Sequence, residues 1–582
     1  MINIDEEKIA KVVSVLPNKI KIEVTNIELF KVENEKFAVG SYLRVSDSDD
    51  CALISVIENF TIEKKDNQES HYVLEAVPLG FLDADGKFSR GGNNIAIPPT
   101  DVELARNDEI QNIYDVLDEE SKFCFSKLSQ DTNISVPVNG DKFFNKHIAV
   151  VGSTGSGKSH TVTKVLQEAI NQKVSSYPGL NNSHIVLFDI HSEYKSAFPD
   201  CNYIDVESLL LPYWLMNGEE LEELFVESGE NQSYNQSSIL RRVITRNKQK
   251  HNNYDEDITF DTPVKFSIAE VLNCITNLSK ETRKAKQPTV ICIEELGDEG
   301  KEFEDDDKFD FYFNKELQFK EIKPQSVNKG TYNDGTLEKF ISRIRNKISD
   351  KRLGFLFSEE AKESSFEDIL RQLIGYKNDA EANITISDLS GVPFEVLSTT
   401  VSLISRLLFE YGYFYKKHIS EDSKEITNTP CPLLLVYEEA HKYVPKIKSA
   451  KYNASRTSIE RIAKEGRKYG VTAMIVSQRP SEISETIFSQ CSNFISMRLT
   501  NPEDQNYVKR LLPDVVGPIT DSLSTLKEGE AILIGDSIIM PSLVKIDRCH
   551  PQPSSNDIPY LKEWKKEWVN TNFEEIINKW VN

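Results

Sequence analysis

The chain of 582 residues contains no apolar run near the ~18–20 residues that a membrane span requires. Its richest apolar stretch, Leu209–Met216, is short and holds Pro212 and Trp214, so a buried segment is expected there. The N-terminus, MINIDEEKIA, lacks the basic start and apolar core of a secretory signal. A cytoplasmic protein without membrane attachment is therefore expected. Cysteine is sparse and scattered: Cys51, Cys124, Cys201, Cys274, Cys292, Cys431, Cys491 and Cys549 form no CxxC and pair with no His at zinc-ligand spacing. That excludes a disulfide scaffold and leaves free thiols as the expectation. Basic charge is also scarce, with 69 Lys and Arg against 92 Asp and Glu and a net charge of −23. A nucleic-acid protein usually shows a basic face. A ring needs only a few cations on its inner wall, however, while acidic outer faces keep it soluble. No D…E-x-K cluster, HNH-like histidine arrangement or HEXXH is present, so cutting DNA would need another chain.

What is present falls into zones. Up to about residue 100, short β-rich runs (Val12–Leu16, Ile20–Val24, Phe37–Val39, Ser41–Val45, Cys51–Ile57 and His71–Ala76) alternate with turn residues, predicting a small barrel or sandwich over 1–100. Pro98, Pro99 and Thr100 mark a boundary, and 101–142 reads as a connector, helical and acidic through Asn107–Ser121. From Phe143 strands alternate with helices, with buried-type strands at His147–Gly152, His184–Asp189, Ile384–Leu389, Leu433–Tyr437 and Val471–Ser477. That rhythm predicts an α/β core over 143–207 and 384–553 with a mostly parallel sheet covered on both faces. Between its halves, 208–383 reads as a mostly helical insertion, in which the acidic run Glu294–Asp310 is expected to be a solvated loop. The tail, 554–582, reads as a helix bearing Trp564, Trp568, Phe573, Ile577 and Trp580, either a docking surface or packed on its own core.

The sharpest chemical signal is VVGSTGSGKSH, which satisfies G-x-x-x-x-G-K-[ST] with Gly152, Gly157, Lys158 and Ser159. Glycines let backbone N–H groups wrap a phosphate chain, and the following helix aims its positive end at the same place. Gly152, Ser153, Thr154, Gly155, Ser156, Gly157, Lys158, Ser159 and His160 are therefore expected to hold ATP. Lys158 would reach the β- and γ-phosphates and Ser159 would ligate Mg²⁺. The apolar strand LLLVY ends in Glu438 and Glu439, assigned to the metal and to polarising the attacking water. Strand VTAMIVS ends in Gln478, which is read either as a γ-phosphate sensor or as a loop cap. Ahead of it, IERIAKEGRKYG carries Arg461, Lys464, Arg467 and Lys468. These either complement the helix dipole or supply an arginine, Arg467 before Arg461, to a neighbouring subunit's ATP. Asp189, His191 and Glu193 alternate in FDIHSEY and are read as ordering their loop, with a role near the nucleotide left open.

In this order, Lys146–Thr161, Phe188–Tyr194, ISDLSGVP (Ile386–Pro393), Leu433–Pro445, Arg461–Val471 and Ile475–Ile483 resemble the HerA family, within the HerA–FtsK group, across about Phe143–Pro553. The resemblance implies a RecA-like P-loop core, a preceding small β-barrel, a homo-hexamer, a channel for duplex DNA and ATP-driven translocation. It also implies a nuclease or sirtuin-like effector docked on the N-terminal barrels, in DNA processing or antiphage defence. Two departures bear on the site. The first acid is Glu438 where P-loop ATPases more often have Asp, although the family uses Glu-Glu, and Ser192 stands where the family often has Gly. The basic stretch Arg343, Arg345, Lys347, Lys351 and Arg352 is open to three readings: a solvated helix, a subunit contact or a DNA contact. An alternative function is a scaffold whose nucleotide state regulates an effector without obligatory translocation.

Overall fold

The computed structural model describes residues 9–581 except 17–18, 31–36, 47–50, 65–69, 91–100, 175–176, 228–232, 378–379, 423–428, 447–452, 512–519 and 556–557. The boundary expected at Pro98–Thr100 lies outside the described residues.

Alternation of apolar and polar side chains builds the N-terminal sheet from β1 (Ala10–Leu16), β2 (Lys19–Val24), β3 (Tyr42–Ser46), β4 (Ala52–Lys64), β5 (Ser70–Leu82), β6 (Phe88–Arg90) and β7 (Val102–Leu104). In β2, Ile20, Ile22 and Val24 are buried while Lys19, Lys21 and Glu23 face the other way, the period-two pattern of a half-buried strand. Strands run in the order β1-β2-β5-β4-β3-β7, with β6 on β5 and every pairing antiparallel. An isolated bridge between Lys11 and Asp101 brings the two ends of the sheet together around a core that includes Leu43, Val45, Ile57 and Leu74. The strand expected at Phe37–Val39 is not formed. A turn replaces it, with Ser41 N–H donating to Ala38 O and Gly40 at φ +96.

The central sheet is assembled from β8 (Lys122–Leu128), β9 (Ser135–Asn139), β10 (His147–Val151), β11 (His184–Asp189) and β12 (Asn202–Ile204) before the insertion. The insertion contributes β13 (Thr282–Lys284), β14 (Gln287–Ile291), β15 (Lys301–Glu302), β16 (Val327–Lys329), β17 (Tyr376–Lys377) and β18 (Ala380–Glu381) to smaller sheets. After it, β19 (Ile384–Asp388), β20 (Leu433–Tyr437), β21 (Val471–Ser477), β22 (Cys491–Met497), β23 (Glu530–Gly535) and β24 (Ser542–Ile546) complete the central one. Its order among the described residues is β12-β19-β11-β20-β21-β10-β22-β23-β24-β8-β9. From β12 to β22 the pairings are parallel, and from β22 to β9 antiparallel. HIAVV and LLLVY are buried at every position, as strands covered on both faces must be. Because β10, β20 and β21 are parallel, the segments that follow them all leave at one edge, where α/β sheets bind their ligands.

The stretch expected to be a connector, 101–142, is instead divided. β7 joins the N-terminal sheet, Asn107–Tyr114 is a helix, and β8 and β9 extend the central sheet through β24. Phe123, Phe125, Val136 and Val138 are buried there, a hairpin signal masked by the acidic residues that precede it. The insertion is mostly helical, as in Ser233–His251, Ile268–Lys280 and Glu338–Ser349, but it adds the antiparallel sheet β15-β14-β13-β16. The acidic run expected as a loop is partly folded. Asp305–Phe313 is a helix with Phe309, Tyr312 and Phe313 buried, and Arg246 grips both carboxylate oxygens of Asp310 (3.1 and 2.6 Å). In the basic stretch, Arg343, Arg345, Lys347 and Arg352 pair with Glu227, Glu316, Glu395 and Asp350 of their own chain. The tail forms two short helices, Tyr560–Trp564 and Phe573–Val581, rather than one. Trp564, Trp568 and Trp580 are 75%, 92% and 85% exposed instead of packed on the core.

Candidate active site

Strand β10 delivers the chain to Gly152, where a side chain has no room: a Cβ would lie 2.5 Å from Ser156 Oγ and 2.8 Å from Met497 Cβ. The loop then curls through positive φ at Gly155 (+70) and Gly157 (+99) into the helix Lys158–Asn171. Such a succession leaves backbone N–H groups pointing inward as an anion nest at a helix N-terminus. Ser153 N–H donates to Arg498 O (2.7 Å), tying the loop to the end of β22. Thr154 Oγ1 donates to Gln478 Oε1 (2.6 Å), so the residue after β21 touches the loop directly. His160 turns instead toward Ser555, with Nδ1 3.5 Å from its Oγ.

Lys158 is buried, and its charge acts on both Glu438 and Glu439. Glu438 is fully enclosed and accepts from Tyr194 OH (2.8 Å). Burial, reinforced by the neighbouring Glu439 charge, pushes its carboxyl up to about 8. Burial acts on Glu439 in the same direction, but the His441 imidazole and the Lys158 ammonium outweigh it and hold Glu439 below the usual carboxylate range. The two acids are thus driven apart, Glu438 upward and Glu439 downward, a division typical of reaction centres. Glu439 also sits at φ +47, ψ +43, a left-handed conformation that costs of order 1–3 kcal/mol and persists where the surroundings impose it. His441 Nδ1 lies 3.2 Å from Glu439 Oε2 but is placed between it and Ser477 Oγ (3.3 Å). Glu439 Oε2 is therefore buried without a hydrogen bond among the described residues.

The loop after β11 divides the alternating trio seen in the sequence. Asp189 accepts from His191 N–H (3.1 Å) and Tyr194 N–H (3.0 Å), ordering the turn. His191 faces outward to Lys442 Nζ (2.9 Å). Glu193 reaches the phosphate loop, accepting from Ser159 Oγ at 2.8 Å. The sequence reading of Asp189, His191 and Glu193 as a loop-ordering set, with a role near the nucleotide open, holds for Asp189, while Glu193 takes the place near the phosphate loop. The signal that could have singled it out is its place just past a buried parallel strand, as for Glu439. The sequence alone assigns no role to Asp388 or Tyr194. Asp388 gathers Ser192 Oγ, Tyr203 OH and Ser390 N–H, fixing the loop from the next strand.

These residues suit a magnesium nucleotide. Among the described residues no cluster of three or more His, Cys, Asp or Glu side chains could hold a metal unaided, and Mg²⁺ is normally held by one or two protein oxygens together with substrate phosphates. Ser159, Glu438 and Glu193 offer oxygen donors only. Ser156 Oγ and Glu439 Oε2 are buried polar atoms that make no hydrogen bond among the described residues, although the His441 ring lies near the second.

Arg467 is not in this cluster. It is exposed, in the turn that precedes β21, while the phosphate loop follows the parallel neighbour β10. It therefore stands at the opposite edge of the sheet from its own chain's Lys158. Arg461 packs its guanidinium over the Phe409 ring (4.5 Å).

An ionised acid held beside a lysine and a glycine-built phosphate nest is equipped to break a phosphoanhydride, not merely to store a nucleotide. The chain is a P-loop ATPase. The family model described as Helicase HerA, central domain, matches residues 123–408. The chain is 27% identical over 502 residues to the DNA double-strand break repair helicase HerA of Sulfolobus acidocaldarius, covering 86% of this chain and 82% of that one. It is 24% identical over 555 residues to a probable DNA double-strand break repair helicase HerA of Methanocaldococcus jannaschii, covering 91% and 95%. Among solved structures it is similar to VirB4 of Thermoanaerobacter pseudethanolicus, at 14% identity and a TM-score of 0.45 over 77% of this chain and 99% of that one. These matches make the chain similar to the HerA family of P-loop ATPases. No helix of the described residues is long and apolar enough to cross a membrane.

Proposed function

We propose that the chain is an ATP-driven translocase or helicase acting on double-stranded DNA as a homo-hexameric ring. The observation that carries this is the split site: Lys158, Glu438 and Glu439 at one sheet edge, the exposed Arg467 at the other. A subunit so built has half of two active sites, and stacking copies edge to edge completes both. The duplex-DNA substrate is supported by the naming of the relatives as DNA double-strand break repair helicases. In this reading residues 1–100 form a small barrel that docks a nuclease or sirtuin-like effector, in DNA processing or antiphage defence. The central sheet, including β8 and β9, is the motor, and 208–383 is its helical insertion.

Mg²⁺ would be held by Ser159 and Glu438, with Glu193 beside them, and supplies positive charge against the phosphates. Lys158 draws charge from the β- and γ-phosphates, and Glu439, ionised beside His441, accepts a hydrogen bond from the attacking water and orients it. Gln478 is bonded to Thr154 of the phosphate loop, and its amide is placed to register loss of the γ-phosphate. Arg467 of a neighbouring copy stabilises charge developing in the transition state. Duplex DNA should raise ATP turnover, and the stimulation should fade as salt releases phosphate contacts. Turnover indifferent to DNA across a salt series would contradict translocation and favour the scaffold reading.

A further inference from the structure

The turn after β20 carries an imidazole with two claims on it. Parallel pairing sets Tyr437 opposite Ile475, and that register carried two residues further brings Glu439 level with Ser477 at the end of β21. The left-handed backbone at Glu439 starts the tight turn Ala440–Lys442, closed by Lys442 N–H donating to Glu439 O (2.9 Å). That turn folds His441 back toward the carboxylate two residues before it. The ring is mostly buried and Ser477 fully so, which keeps bulk water from satisfying either.

His441 Nδ1 has two oxygens within reach. It is bonded to Ser477 Oγ at 3.3 Å, and it lies 3.2 Å from Glu439 Oε2 without making a hydrogen bond there. A single Nδ1–H is given to one of them at a time. Held on Ser477, the ring leaves Glu439 Oε2 free to accept from water. Turned onto Glu439, it takes up the oxygen that would hold that water. Ser477 Oγ also accepts Arg479 N–H (2.9 Å), and a hydroxyl oxygen has lone pairs for both donors.

The strand end that holds the ring is itself fastened to the phosphate loop. Ser477 O accepts Gly152 N–H (3.3 Å), and the next residue, Gln478, accepts from Thr154 Oγ1 (2.6 Å). The hydroxyl that keeps the imidazole on its own side is thus anchored through two adjoining residues to the loop that wraps the phosphates. A shift of that loop moves it.

We propose that His441 is a positioning residue for hydrolysis: Ser477 holds its Nδ1–H and so keeps Glu439 Oε2 open to the attacking water, and displacement of Ser477 lets the ring close on Glu439. The proposal rests on the reading that Glu439 orients that water. It gives the γ-phosphate sensor a route to the catalytic acid, because the strand end that touches Thr154 through Gln478 is the one that holds the latch through Ser477. Neither His441 nor Ser477 needs to touch the nucleotide for this.

Steady-state ATP turnover of the full chain tests this, with ATP affinity measured beside it. Ser477→Ala removes a single hydroxyl and should lower kcat about thirty-fold with ATP affinity within about two-fold of native, the scale of loss that a misplaced reacting group produces. His441→Ala should cost only a few-fold. Added to Ser477→Ala, it should raise kcat back to its own level, because the ring that closes on Glu439 is gone. A merely structural ring cannot make the double variant faster than the Ser477→Ala single. Native turnover in Ser477→Ala, losses that multiply in the double variant, or ATP affinity that falls in step with kcat would each overturn the proposal. Glu439→Gln separates it from the reading beneath. Turnover that survives Glu439→Gln would remove the role of Glu439 with water and the latch with it. An inactive Glu439→Gln beside a fully active Ser477→Ala would remove the latch alone.

Discussion

At Ser192 the backbone lies at φ +56, where a Cβ costs roughly 1–2 kcal/mol. Its hydroxyl offsets part of this by donating to Asp388 and lying 3.0 Å from Ser390 Oγ. Ser192→Gly should therefore be close to neutral in urea unfolding, whereas Ser192→Ala, which keeps the strain and loses the bond, should cost about 1–2 kcal/mol. The sequence raised the question by showing Ser where the family often has Gly. The left-handed geometry explains why Gly suits the position and how Ser is accommodated. His147 illustrates what single-residue reading cannot supply. It starts β10, fully enclosed, with one ring nitrogen facing Ala463 O (3.0 Å) and the other accepting Ala473 N–H (3.0 Å). Burial lowers its pKa from 6.5 to about 4, against the pull of the Ala463 carbonyl. The unfolded chain then binds a proton more readily than the folded one. Stability from this group is complete above pH 6.5 and declines by about 3 kcal/mol as pH falls toward 4. His147→Gln should flatten that part of a thermal-unfolding pH profile.

At the scale of elements, the insertion is fastened to the motor by a buried ion pair. Glu220, at the start of Gly218–Phe225, meets Arg406 of the long helix Phe394–Asp422 at 2.9 Å, and Arg406 also donates to Leu215 O (2.6 Å). Removing one partner strands a buried charge, so Arg406→Met should cost about 3–5 kcal/mol, while Arg406→Met with Glu220→Leu should recover much of it. Denaturant unfolding of the three variants measures this. A second fastening is subtler: Glu223 Oε2 accepts the N–H groups of Asn453 and Ala454 (2.6 and 2.7 Å) at the start of the helix Ala454–Glu465. The insertion thus steadies the element that leads to Arg467. The parallel strands were legible because buried β-strands read as unbroken apolar runs, and the phosphate loop because its glycines answer a steric demand. β8, β9 and the helix Asp305–Phe313 were not legible, since acidic neighbours hid alternation that only tertiary packing rewards. For Glu193 the sequence could only leave a role near the nucleotide open, because its contact with Ser159 is thirty-four residues away and local spacing does not register such contacts.

At the scale of the whole molecule, the proposed catalytic site is shared between copies. The sequence named Lys158, Glu439 and Arg467, and the sheet topology sets the first two at one edge and the third at the other. Complementation tests this most directly. Lys158→Ala and Arg467→Ala chains should each lack ATP turnover alone. When they are mixed and co-assembled, the intact phosphate loop of one meets the intact arginine of the other, and turnover should return toward about a quarter of the native value at random mixing. A mixture as inactive as its components, or an Arg467→Ala chain as active as the native one, would contradict the shared site.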